Sequence, residues 1–104
     1  MGLIIVFSLI AKDDLKNIFE YIKRDSVVYA RKEITAIRFV TNRLKANQYL
    51  GKKFENFNNE FVRELVFKNY RIIYEIIDQR IVILTIHHHA RLISNNPAIT
   101  DDDL

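Results

Sequence analysis

Hydrophobic positions along this chain change period twice, and the changes mark its elements. Residues 3–7 form a short, β-prone apolar run without alternation, which predicts a strand covered on both faces or tucked at a sheet edge. Leu15, Ile18, Phe19 and Ile22 then recur at i, i+3, i+4 and i+7, the spacing of one buried helix face. Ser8 is placed to cap that helix. Asp13 and Asp14 near its start and Lys23 and Arg24 near its end suit the helix dipole. Asp25-Ser26 breaks the pattern, and Ser26 caps a second helix predicted over 27–46. Its inner stripe is Ala30, Ile34, Ile37, Thr41 and Leu44, with Arg31, Lys32, Arg38 and Lys45 solvated. Two helices with one polar break between them predict an αα-hairpin.

Residues 47–59 lose the periodicity and read as a loop, with a short extended piece near 53–57. A period of two then takes over. Phe61, Arg63, Leu65 and Phe67 share one face of a first strand, opposite Val62, Glu64 and Val66. Tyr70, Ile72, Tyr74 and Ile76 oppose Arg71, Ile73, Glu75 and Ile77 in a second. Val82, Leu84, Ile86 and His88 oppose Ile81, Ile83, Thr85 and His87 in a third. The short polar turns Lys68-Asn69 and Asp78-Gln79 make the three antiparallel neighbours. The predicted class is α+β: an N-terminal strand, an αα-hairpin and a three-stranded antiparallel meander (β-α-α-β-β-β), with the helices packed on one sheet face. Residues 1–92 make one domain and 93–104 a polar, acidic tail.

Composition narrows the picture. A chain of 104 residues with only two glycines and 49% hydrophobic residues builds one packed core. Without cysteine there is no disulfide, thiolate zinc site or cysteine nucleophile, which fits a reducing cytoplasm. No apolar stretch reaches membrane length. The net charge is +3, and setting aside Asp101, Asp102 and Asp103 raises it to +6. A basic body of that kind suits nucleic acid or an acidic protein partner, or serves solubility alone.

Candidate chemistry lies in the strands. Arg63 and Arg71 interrupt apolar runs and Arg91 follows the third strand, so each contacts an anionic partner or joins an ion pair such as Arg71 with Glu64 or Glu75. His87, His88 and His89 alternate faces and cannot converge on one ion without a bulge; His88 belongs behind Ile86 on the core face. No metal and no cofactor is expected. Tyr21, Tyr29, Tyr49, Tyr70 and Tyr74 fall on apolar faces as core aromatics before base-stacking platforms.

Ser8-x-x-Ala11-x-x-Asp14-Leu15-x-x-Ile18-x-x-Tyr21-Ile22, Val62-Arg63-Glu64-Leu65, Tyr70-Arg71-Ile72-Ile73-Tyr74-Glu75-Ile76 and His88-x-x-Arg91 resemble the ParE/RelE toxin superfamily. The resemblance implies a small basic, cytoplasmic toxin of a type II toxin–antitoxin system, of the kind that serves growth inhibition and plasmid stabilization. It also implies a cognate antitoxin whose C-terminal segment wraps the toxin as helix and strand, giving a hetero-oligomer. RelE-like members are ribosome-dependent mRNA endonucleases that act without metal. In that branch Arg71 and Arg91 match two arginines and His89 could act as general acid; Glu55, Arg71 and His89 could instead imitate the glutamate–arginine–histidine set of a second nuclease branch, though Glu55 is poorly spaced. The positions of the RelE-like strand lysines, however, are Val62 and Glu64, and no tyrosine follows Tyr74. ParE-like members poison DNA gyrase by protein contact and lack nuclease residues. Arg63-Glu64-Leu65 and His88-x-x-Arg91 look more like that branch, although residues 50–55 lack the proline often found before the glycine. The ParE-like expectation is a gyrase inhibitor, not an enzyme, that uses Arg63, Arg71, His88 and Arg91 toward target and antitoxin. The alternatives are the nuclease and a non-toxic regulator that only binds antitoxin.

Overall fold

Ser8 opens the helical layer. Its Oγ accepts the Ala11 N–H at 3.0 Å, the N-cap bond that starts helix α1, Leu9–Lys23. A computed structural model describes residues 3–55 and 58–88. Ala11, Leu15, Ile18 and Ile22 are the buried face of α1. Ser26 caps α2, Val27–Asn42, through the Tyr29 N–H at 3.0 Å, and a 3₁₀ turn continues it over Arg43–Lys45. The second helix is therefore α-helical for a shorter stretch than its periodicity suggests. Its buried stripe is Ala30, Glu33, Ile37, Val40 and Thr41, with Ile34 only half-buried.

The described residues form a five-stranded mixed sheet in the order β1-β5-β4-β3-β2. These strands are β1 (Ile4–Phe7), β2 (Lys52–Lys53), β3 (Val62–Phe67), β4 (Tyr70–Ile77) and β5 (Arg80–His88). The expected meander is β3-β4-β5. The N-terminal strand runs parallel to β5 at the sheet edge, with Ile4 and Val6 exposed and Ile5 and Phe7 against the core. Of the extended piece expected near 53–57 only residue 53 is strand: β2 is Lys52–Lys53, antiparallel to β3, and residues 56–57 lie outside the described residues. Both helices cover one face, where their apolar stripes meet Tyr70, Ile72, Tyr74, Ile76, Ile81, Ile83 and Ile86. No described helix covers the other face. No described helix is long and apolar enough to cross a membrane.

A β-bulge overturns the simple alternation of the third predicted strand. Ile73 pairs with Thr85 but Tyr74 pairs with Ile83, which leaves Leu84 as an extra residue. Ile81 and Ile83 therefore share the helix face with Ile86 and His88, while Val82 turns to the outer face opposite Glu75. Ser8 Oγ donates to the Leu84 carbonyl at 2.8 Å, and the Ser8 N–H to the Ile83 carbonyl at 3.0 Å. Asp14 completes the restraint by accepting from the Ile86 N–H at 2.8 Å and the Thr85 hydroxyl at 2.6 Å. Asp13 and Asp14 lie beyond the first turn of α1, so Asp14 acts as an anchor to β5 rather than as a dipole charge.

Tyr70 and Tyr74 are fully buried, as their apolar face requires, whereas Tyr29 and Tyr49 are about half exposed. Tyr29 stands in the first turn of α2, and Tyr49 lies in the loop beneath a guanidinium, so neither is core. The two β-turns place Lys68 (φ 55°) and Asp78 (φ 52°) in the left-handed region, which an aspartate tolerates better than a lysine.

Candidate functional site

Pairing across β2, β3, β4 and β5 lines up the uncovered face of the sheet. Lys52 lies opposite Glu64, Val66 opposite Arg71, and Arg71 opposite His87. Directly paired residues point the same way, so Lys52, Glu64, Arg71 and His87 share this surface. Arg71 Nε donates to Glu64 Oε2 at 2.6 Å. The guanidinium side chain is 49% exposed, while that of the glutamate is only 5% exposed. The ion pair therefore keeps one partner in the protein and the other at the surface. The hydrogen bond from Arg71 holds the Glu64 carboxyl below its ordinary range, with help from the charges of Arg71 and Lys52 and against the cost of burial. The same bond raises Arg71 further. Lys52, Lys53, Phe54, Glu55, Glu64 and Arg71 surround a shallow cavity of about 150 Å³. Its open edge is cationic and suits a carboxylate or a phosphate.

Arg63 belongs to the opposite face, opposite Tyr74. Its Nε donates to the Gly51 carbonyl at 2.8 Å and its Nη1 to the Glu60 carbonyl at 3.3 Å, and its guanidinium lies 5.1 Å from the Tyr49 ring centre. It fastens the loop to the sheet. Tyr74 works beside it: its hydroxyl donates to the Gln48 carbonyl at 2.7 Å and accepts the Gly51 N–H at 2.9 Å. Burial pushes that hydroxyl up in pKa, opposed by the Gly51 bond and by Arg63. Glycine is required at 51 by space, since a Cβ there would lie 2.6 Å from the Glu64 carbonyl oxygen.

His88 is half-buried on the helix face, with its ring 4.7 Å from that of Tyr70 and 6.4 Å from that of Tyr21. Tyr70 pairs with His88 at one end of β4 and Tyr74 with Arg63 further along, so Arg63, Arg71 and His88 are not brought together. Arg91, His89 and the acidic tail with Asp101–Asp103 lie outside the described residues. Two further groups stand at these sites, and periodicity missed the second. His87 joins Arg71 on the outer face, a placement that the alternation of β5 near its end does announce. Glu33 is 5% exposed on α2, where Lys68 Nζ donates to Oε1 at 2.9 Å and the Tyr70 hydroxyl to Oε2 at 3.0 Å. That bond raises the Lys68 ammonium, while burial chiefly raises the Tyr70 hydroxyl.

Val62 and Glu64, where the RelE-like resemblance implies lysines, stand on β3. Val62 is 1% exposed, and the Glu64 carboxylate is engaged by Arg71. Neither can stabilise a pentavalent phosphate.

Comparison with known proteins agrees with this fold. The ParE toxin of type II toxin–antitoxin systems, parDE, matches residues 5–93. The chromosomal ParDE system from P. aeruginosa has a TM-score of 0.69 and 22% identity over 83% of this chain and 95% of that one. The RelBE2 toxin–antitoxin complex from Mycobacterium tuberculosis has a TM-score of 0.63 and 20% identity over 85% and 99%. The YoeB dimer from Staphylococcus aureus has 0.59 and 22% over 84% and 97%. No curated protein sequence matches significantly. With a family pattern spanning most of its length on a helix-hairpin-and-sheet frame, the chain belongs to the ParE toxin family of type II toxin–antitoxin systems.

Proposed function

We propose that the protein arrests growth by binding DNA gyrase and is neutralised by a cognate, acidic antitoxin. The observation that carries this reading is the state of the outer sheet face. Its cation, Arg71, is tied to a buried glutamate, and the neighbouring position that would need a lysine is a buried valine. Such a surface offers shape and charge to a protein rather than a set of groups for cleaving a phosphodiester. Residues 1–92 act as one toxin domain in this account, with Arg63, Arg71, His88 and Arg91 serving target and antitoxin.

Antitoxin binding is further supported along α2. Phe39 is 72% exposed, and beside it a groove of about 530 Å³ is lined by Ala36, Val40 and Phe67 and rimmed by Arg31, Lys32 and Arg43. An apolar floor with a cationic rim suits an acidic amphipathic segment.

A second reading, the ribosome-dependent endoribonuclease, is favoured by one observation: His87 stands opposite Arg71 and could deliver a proton beside a phosphate held there. Induction in cells separates the readings. DNA-damage signalling with intact mRNA supports gyrase poisoning, and ribosome-phased mRNA cuts support the nuclease. Unimpaired growth would leave a regulator that only binds antitoxin.

A further inference from the structure

On the helix side, across the sheet from the Arg71 cluster, α1, α2 and the β3-β4 turn border a cavity of about 280 Å³. Its walls include Tyr21, Tyr29 and His88, and its charged groups are Asp25, Glu33 and Lys68. Among the described residues, two carboxylates against one ammonium make this a locally acidic place on a chain of net charge +3. Glu33 is the buried end of the cavity: among the described residues its Oε1 accepts from Lys68 and its Oε2 from the Tyr70 hydroxyl, and a carboxylate oxygen can accept two hydrogen bonds. The chain already draws its own cations to these groups: Lys68 reaches Glu33, and the Arg24 guanidinium lies 5.7 Å from the Tyr21 ring centre.

We infer that this cavity is a recognition site for an arginine side chain of a partner protein, whose guanidinium displaces Lys68 from Glu33 and lies against the surrounding aromatic rings. A planar guanidinium both stacks on rings and offers paired donors to a carboxylate, which an ammonium does not. Lys68 is suited to yielding its place. Its side chain is half exposed, so the ammonium can pass to water, and it projects from a turn residue already in the left-handed region. The site shares no residue with the outer-face cluster, although it includes His88, one of the residues proposed above to serve target and antitoxin.

The test is an NMR titration of the full-length chain with N-acetyl-L-arginine methylamide, following the ring signals of Tyr21, Tyr29 and His88. The corresponding citrulline derivative serves as the neutral control. Saturable shifts with the arginine probe and none with citrulline are expected. Lys68→Met, which removes the internal competitor, should tighten binding by about threefold or more, and Glu33→Gln should weaken it by about tenfold. Should Glu33→Gln fail to fold, Tyr29→Ala at the exposed wall decides instead, with an expected weakening of about threefold. Absence of saturable shifts in both wild type and Lys68→Met overturns the inference. So does equal response to the two probes, or binding that neither Glu33→Gln nor Tyr29→Ala weakens.

Discussion

Replacing Arg71 with methionine removes the guanidinium while keeping much of the apolar stem, and so asks whether the outer-face cation holds the sheet together. A hydrogen bond to a charged group contributes about 1.5–3 kcal/mol. Here the arginine is half exposed and water screens it, which argues for the low end of that range or somewhat below it, about 1–2 kcal/mol. The Glu64 carboxylate left behind stays buried, with the charge of Lys52 still lowering its pKa. For a domain of this size the loss lowers Tm by roughly 5–15 °C. Glu64→Leu combined with Arg71→Met should recover much of it, because an apolar pair leaves no stranded charge. Acid provides a second arm. Glu64 titrates below its ordinary value when folded, so its contribution is fully present above the unfolded glutamate pKa of 4.5 and disappears as pH falls through the lower folded value. Thermal melts of wild type, Arg71→Met, Glu64→Gln and the double variant, from neutral pH down through that window, check both arms. A single Arg71→Met variant as stable as wild type, or a wild-type advantage over Glu64→Gln that survives in strong acid, refutes the reasoning.

Gly51→Ala forces a Cβ to within 2.6 Å of the Glu64 carbonyl oxygen and 2.9 Å of Tyr74 Cε1, and should cost about 1–3 kcal/mol in urea unfolding. Tyr74→Phe removes the acceptor of the Gly51 N–H and the donor to Gln48, which should loosen the loop by about 1–2 kcal/mol and speed amide exchange at Gly51. Asp14→Ala strands the Ile86 N–H and the Thr85 hydroxyl at the bulge; a loss of about 1–3 kcal/mol with faster Ile86 amide exchange is expected. Unchanged exchange at either amide would show that these side chains are not what restrains the backbone there.

Element order was legible in the sequence because each element carries a local signal: the caps Ser8 and Ser26, the 3.6 period of Leu15, Ile18 and Ile22, and the polar turns at Lys68 and Asp78. Contacts between distant residues carried no such signal. The parallel pairing of β1 with β5 joins positions more than 70 residues apart, and nothing in the run at residues 3–7 names its partner. The bulge at Leu84 is equally silent, because Val82, Ile83 and Leu84 are all apolar and suit either face. Glu33 was hidden by its charge. A pattern reading sends glutamate to solvent, and its partners Lys68 and Tyr70 lie 35 and 37 residues away. For the candidate site, the ion pair of Arg71 with Glu64 was one of the two readings open for that arginine, whereas the register that puts Arg63 and Arg71 on opposite faces was not read from the sequence. The cationic edge formed with Lys52 and Lys53 was not visible until β2 joined β3.

The most direct test adds the purified protein to purified DNA gyrase and follows ATP-dependent supercoiling of a relaxed plasmid, beside a ribosome-programmed mRNA cleavage assay. The account predicts blocked supercoiling or trapped DNA cleavage, relief by the cognate antitoxin and intact mRNA. Full supercoiling at a large excess of the protein, together with cuts in ribosome-bound mRNA, would contradict it.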